Sequence, residues 1–528
     1  MLSGGHKRKM LRRFCKTVID YAINIYLLLI LCVMPFYNSA GYSHIGTDKS
    51  VFFDTVCVYM GRSLVPILLF YLIMLAIKQR KEIGDKIKDA FSVTDFFAAG
   101  FCLTLIFSYF CSKYRTTALW GSAGWYMGFW PQMFLIFTYF FVSKFWKPRK
   151  WVLYLGLTSS FAVFLLGYLN RFNIDVLGMS ADYISFISTV GNINWYCGYL
   201  VSVFFAGTAL LWQWESGKPW QKILLMLYVT VGFGTLVTQG SDSGLIALMV
   251  IMFVLFCFSL RDSRKMLMFW QEMVLFSCAC LITYVLRKVL PGRITYDIGY
   301  ARLFTVGWIP FVVTVLSVLI LTAVTVSIKR GTYKEKGFRI LAGAAAVLSV
   351  AALTVYLILT AINTFHPGSI GSLSEHPMFS FSPAWGSRRG ATWGAGWRCF
   401  TEQNFLHRLV GVGPDAMSAY IYQSGSTKLR DLVHDSFGQT TLTNAHSEWL
   451  TVLVNTGTLG LLSFGGMMVT GIRRYLREAG NHQIVFACGI CLLAYTVNNI
   501  FSFQQAMSVA TIFSIFGMGE AFLRAEKA

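Results

Sequence analysis

Apolar runs of about eighteen residues or more recur along the whole chain, each long enough to cross a bilayer as a helix. Such runs leave little choice of fold. Within hydrocarbon every backbone amide must find its partner in the protein, which only helices and closed barrels achieve. A barrel would show short segments of alternating apolar and polar residues, and this sequence shows none. The expected fold class is therefore an all-α polytopic integral membrane protein in a lipid bilayer. Composition agrees: 55% of the 528 residues are hydrophobic and 13% charged, with a mean hydropathy of +0.58. A soluble domain carries about a quarter charged residues.

Fourteen spans are expected, near residues 17–36, 55–77, 94–111, 124–146, 151–168, 195–213, 220–238, 243–260, 266–286, 303–328, 338–363, 446–470, 483–502 and 505–524. Alternate gaps read KQRKEIGDKIK, KFWKPRK, GKPWQK, RDSRK, IKRGTYKEKGFR and GIRRYLRE. With the two termini they hold two thirds of the 45 Lys and Arg residues. By the positive-inside rule these gaps and both termini are cytoplasmic, which accounts for much of the net charge of +21 without nucleic acid. The first span follows HKRKMLRRFCK, exceeds a signal peptide's apolar core and precedes no small-residue cleavage site, so it is expected to be retained. Twelve cysteines would suit a disulfide framework, but Cys278, Cys280, Cys488 and Cys491 fall inside apolar runs, where a small packing residue is the expectation. No glycine-rich nucleotide motif is present, and no cofactor is expected.

The chain divides into spans 1–11 over residues 1–363, a long outer-face segment over 364–445, and spans 12–14 over 446–528. The long segment far exceeds an ordinary connector. Its stretch from Thr392 to Phe405 can form an amphipathic helix along the membrane surface, with Trp393 and Trp397 on one face. GVGP, Gly411 to Pro414, reads as a tight turn allowing close backbone approach. Arg388, Arg389, Arg398 and Arg408 cluster here, against the charge rule for an outer face. Arginine presents a planar, permanently charged fork suited to phosphate oxygens. The cluster can clamp a diphosphate; it can also snorkel to lipid headgroups or pair with Glu402 and Asp415. Arg171, Arg287, Lys288, Arg293 and Arg302 add charge from neighbouring outer gaps, making a cationic vestibule for an anionic, lipid-linked substrate.

The twelfth span opens TNAHSEWLTVLVNTGTLGLLSF, with His446 and Glu448 at its mouth. A histidine of near-neutral pKa can take a proton from an attacking hydroxyl, or simply lie at the interface. Glu448, two residues on, points away from His446 on a regular helix and can orient a substrate or a partner arginine. Asn444 can cap the helix by accepting an orphan N–H. His434 and Asp435 with His446 match no strong metal-ligand spacing. Trp120, Trp125 and Trp130 can stack on sugar faces or form an interfacial aromatic belt.

These residues resemble the signature of the O-antigen ligase and polymerase superfamily. There a histidine is followed by Asn or Ser, an aromatic, Leu and a later Gly-x-x-Gly, here His446, Ser447, Trp449, Leu450, Gly457 and Gly460. Upstream the family has an Arg four residues before a Trp, then a Gly-x-Gly turn, matching Arg389, Trp393, Gly411 and Gly413. GNINWYCGYL, Gly191 to Leu200, is similar to the Gly- and Asn-rich start of another family helix. The likeness is close over Arg389 to Phe464 and loose back to Gly191. The resemblance implies a GT-C-like, inverting, metal-independent glycosyltransferase on the outer face of a bacterial cytoplasmic membrane. Its donor would be an undecaprenyl-diphosphate-linked oligosaccharide and its acceptor another glycan. It casts His446 as base and Arg389 on the diphosphate, with Arg388, Arg398, Glu448, Trp393, Arg171 and Arg293 as candidate substrate-binding residues. One departure stands out: the family's Ser-Arg-Gly turn reads TQGSDSG here, with Asp242 in the arginine's place, so that Arg171 or Arg293 is expected to supply the charge. Fourteen spans also exceed the usual ligase number, which favours a polymerase joining two lipid-linked repeats over a ligase moving a finished glycan to another acceptor. A flippase for the same lipid is the rival outside enzymology; it should show two similar halves and short outer loops.

Overall fold

A computed structural model describes residues 4–78, 91–179, 184–260 and 262–527. The basic segment from Gln79 to Ala90 and Arg261 of RDSRK lie outside the described residues. The chain begins with α1 (Gly4–Leu28), α2 (Ile45–Lys78), α3 (Val93–Cys111), the short α4 (Arg115–Trp120), α5 (Phe129–Phe145) and α6 (Lys150–Arg171). A two-stranded hairpin, β1 (Phe186–Ile187) with β2 (Gly191–Asn192), leads into α7 (Ile193–Trp212). Next come α8 (Pro219–Thr238), α9 (Asp242–Ser259), α10 (Ser263–Val289), α11 (Ile309–Lys329) and α12 (Glu335–Phe365). The long polar segment folds into α13 (Trp385–Glu402), α14 (Phe405–Val410), α15 (Met417–Gln423) and α16 (Thr427–Phe437). The chain closes with α17 (Glu448–Leu476), α18 (Gln483–Asn498) and α19 (Ala506–Lys527).

Each expected span coincides with a helix. Among the described residues twelve are long and apolar enough to cross a membrane, so the protein is an all-α polytopic membrane protein. The other two are shorter, 17 residues in α5 and 16 in α18. The expected span 124–146 loses its start to a turn anchored by Asp415, which accepts the backbone N–H groups of Ser122 (2.7 Å) and Met127 (3.2 Å). The span expected from 303 begins at Ile309, because Tyr300–Thr305 forms a 3-10 turn.

The helices alternate in direction. Phe101 packs on Phe464 (5.4 Å between ring centres), and the Thr470 hydroxyl donates to that of Thr94 (3.1 Å), so α3 and α17 run antiparallel over their length. At one end the basic linkers are held by ion pairs: Arg149 with Asp20 (2.6 Å), Lys144 with Asp95 (2.5 Å), and Arg474 with Glu520. The opposite end, where α3, α6, α8 and α18 finish and α7, α9, α17 and α19 begin, carries His446. In the core the most apolar stretch of α19 is fully buried, whereas only 6% of that of α12 is covered. All twelve cysteines are free, and Cys280, Cys488 and Cys491 are packed inside the bundle as expected.

The long segment is a folded cap with its own core of Ala395, Cys399, Val412, Met417, Leu429 and Val433, joined by Tyr114 and Val454. GVGP ties this cap to α17. Gly457 adopts φ 69° inside α17 and breaks it. The carbonyls freed near the break, Val454 and Asn455, accept from Val412 N–H (3.2 Å) and Gly413 N–H (3.1 Å). Non-helical backbone inside a membrane protein persists only where the protein satisfies it in this way. The approach is too close for side chains: a Cβ on Gly411 would lie 2.1 Å from the Asn455 carbonyl oxygen, and one on Gly457 2.3 Å from the Leu409 carbonyl.

Candidate active site

The site is organised by a loop between α18 and α19, residues 499–505, of which the hydropathy pattern left only 503–504 outside its last two spans. Glu448 opens α17, and its backbone N–H donates to the Asn499 carbonyl (2.9 Å) and the Ser502 carbonyl (2.8 Å), satisfying an orphan amide of the helix start. Its carboxylate accepts the Gln504 N–H (2.7 Å). The loop thus held presents Phe501 and Phe503 to the two residues the motif singled out.

Arg389 forks onto one acceptor: its Nε and Nη2 both donate to the Phe501 carbonyl (3.1 and 3.0 Å), and Nη1 donates to the Gly386 carbonyl (3.0 Å). It is aimed inward by a left-handed turn at Gly386, Ser387 and Arg388 (φ 57°, 60° and 69°), after which α13 runs regularly. Left-handed backbone at non-glycine residues is strained and clusters at functional sites. Trp393, one helical turn on, stacks on the Phe501 ring (5.7 Å, 27°). Its indole N–H is buried with no acceptor among the described residues.

His446 also has a left-handed backbone (φ 49°). Its N–H donates to Asn444 Oδ1 (3.0 Å) and its ring meets Phe503 edge-on (5.0 Å). Phe503 is backed in turn by Trp125 (4.8 Å). Burial, with a smaller push from the Arg389 cation, lowers the His446 pKa to about 4, so the imidazole is neutral at physiological pH. Burial also holds the Arg389 guanidinium below its ordinary value, while the charge of Asp242 works in the opposite sense. The constellation is thus a neutral histidine beside a caged arginine, which also feels the charge of Asp242 at the start of α9.

Several expected positions move. Asn444 does not cap α17: Ser447 is the N-cap, without a side-chain bond, and Asn444 holds the His446 backbone instead. Glu448 is not at the mouth but buried behind it, 3% exposed. The expected surface helix exists from Arg389 to Glu402, but Trp393 turns into the protein and only Trp397 stays exposed. Arg171 does reach the Asp242 turn, as a backbone anchor: Nη2 donates to Gln239 O (2.7 Å) and Nη1 to Ile184 O (3.0 Å). Arg293 is exposed. Arg389, which the sequence had matched to another family position, also feels the Asp242 charge. Of the other arginines, Arg388 is exposed over the Phe437 ring (5.9 Å), Arg398 is exposed, and Arg408 donates to the Thr401 carbonyl. The vestibule is partly neutralised, since Asp297 pairs with both Arg287 (2.6 Å) and Arg302 (2.9 Å). Trp120 and Trp130 are exposed, and Trp125 belongs to the wall behind His446. His434 and Asp435 are exposed on α16.

Some neighbours of the site stood out little in the sequence, which offered Asp415 only as a possible arginine partner. Asp415 and Gln132 carry no motif, and the polar pairs Asn498–Asn499 and Gln504–Gln505 were the only trace of the organising loop. In comparisons with known proteins, no family model and no curated protein matches this chain.

Proposed function

We propose that the protein is an inverting, metal-independent membrane glycosyltransferase. It polymerises undecaprenyl-diphosphate-linked oligosaccharide repeats at the outer face of a bacterial cytoplasmic membrane. The observation that carries the reading is the pairing of a neutral, strained His446 with the Arg389 fork at the bundle end opposite the basic linkers. Basic linkers face the cytoplasm, so that end is outer. The fourteen-span topology counts α5 and α18, roughly 24–26 Å long at 1.5 Å per residue, as spans.

In this mechanism the acceptor sugar hydroxyl gives its proton to the His446 imidazole as its oxygen attacks the anomeric carbon. The bond from that carbon to the diphosphate oxygen breaks, with inversion. The leaving group gains negative charge, which Arg389 stabilises by exchanging the Phe501 carbonyl for phosphate oxygens. Arg388, exposed at the same turn, is placed to add a second contact. The bound diphosphate also offsets the Arg389 field at His446, raising its proton affinity toward the range useful to a base.

The test is reconstitution with a polyprenyl-diphosphate oligosaccharide, read on a gel. A ladder from wild type supports the polymerase. A single shifted band that requires a different acceptor supports transfer of a finished glycan, as by a ligase. Movement of the lipid across the bilayer without product, unchanged in His446→Ala, contradicts the enzyme and supports a flippase.

A further inference from the structure

Phe503 and Asn444 also line a second space, a cavity of about 30 Å³ with mixed polar and apolar walls, enough for about two waters. Asp415 and Glu448 line it, with Gln132, Gln504, Asn444 and Thr451. Both carboxylates are buried, 6% and 3% exposed. Asp415 Oδ2 accepts two backbone N–H groups and Glu448 Oε2 accepts one, yet neither Asp415 Oδ1 nor Glu448 Oε1 has a protein donor among the described residues. The two glutamine amides bond each other, Gln132 Nε2 to Gln504 Oε1 (2.5 Å), and leave Gln132 Oε1 and Gln504 Nε2 without partners. These side chains are 9% and 4% exposed. An unmatched acceptor and an unmatched donor at one small cavity are what a bridging water satisfies.

Two carboxylates at one buried cavity cannot both stay ionised without a counter-charge. The side chains lining it from α3, α5, α17, the 121–128 turn, the GVGP turn and the 499–505 loop include no lysine, arginine or histidine. We propose that this cavity holds ordered water and a proton shared between Asp415 and Glu448. Burial raises the Asp415 pKa to about 7 despite its two N–H donors, in keeping with a proton held near neutrality. The proton acts on the site above through Glu448, whose carboxylate fixes the loop bearing the Phe501 carbonyl and the Phe503 ring. That consequence rests on the proposed transferase; the hydrated proton site itself does not.

Infrared difference spectroscopy on the purified protein without substrate separates the two. Wild type should show the carbonyl stretch of a protonated carboxylic acid at about pH 6–7, sensitive to H2O/D2O exchange and lost on raising the pH. Glu448→Gln and Asp415→Asn should each remove or shift it. Asp415→Asn also loosens the 121–128 turn, so Glu448→Gln decides if that variant does not fold. Gln132→Leu should lower Tm, because it strips an acceptor from a wet cavity. A spectrum with no band that Glu448→Gln alters, or a Gln132→Leu variant more stable than wild type, overturns the proposal. So does a Tm raised by sodium or calcium ions in wild type but not in Glu448→Gln, which would make the cavity a cation site.

Discussion

A histidine that is neutral because it is buried leaves a signature in pH. His446 has a folded pKa of about 4 against an ordinary 6.5. Between those values the unfolded chain binds more protons, so stability rises with pH through that window and is lost as pH falls toward 4. The whole effect is at most about 3 kcal/mol. His446→Gln should flatten this part of the stability curve, measured by thermal unfolding in detergent from about pH 4 to 7. The acid limb of kcat/KM, which reports the free enzyme, should fall near pH 4 and not near 6.5. Arg389→Ala should lower turnover by about 100- to 1,000-fold, as for other lost transition-state donors. Arg389→Lys should recover little, because an ammonium cannot fork onto one acceptor. Arg398→Ala, at an exposed position, should stay within a few-fold of wild type in the same assay.

At the scale of elements, the α17 break is the part of the architecture most sensitive to one atom. Gly457→Ala must adopt left-handed backbone, costing about 1–3 kcal/mol, and also meets the Leu409 carbonyl. Lower Tm and faster proteolysis between α14 and α15 are the expected results; an unchanged Tm would mean the cap does not rest on the break. The same contrast explains what the sequence could reveal. Spans were legible because apolar length is a local property, whereas the pair His446 and Arg389 was singled out only by the family resemblance. The 499–505 loop was not legible, because residues 499–502 read as the end of an apolar span and only 503–504 were left as a connector. Its role depends on Glu448, some fifty positions earlier. Asp415 was legible only as a possible arginine partner; its actual partners, the amides of Ser122 and Met127, lie almost three hundred residues away.

For the whole molecule, opposite ends of the bundle carry opposite tasks: ion-paired basic linkers at one, the strained site and its folded cap at the other. If the basic end is cytoplasmic, cysteines introduced at Thr440 on the cap and at Lys336 in a basic linker should differ. In intact cells a membrane-impermeant maleimide should label the first and leave the second unlabelled until the cells are lysed. The central claim, that His446 performs glycosyl transfer from a polyprenyl diphosphate, is tested most directly in proteoliposomes supplied with the lipid-linked oligosaccharide. Release of the polyprenyl diphosphate, coupled to lengthening of the glycan, is measured for wild type and His446→Ala. The account predicts release and lengthening in step for wild type and neither above background for the variant. Equal release by both proteins, or none by wild type under conditions where the donor binds, would contradict it.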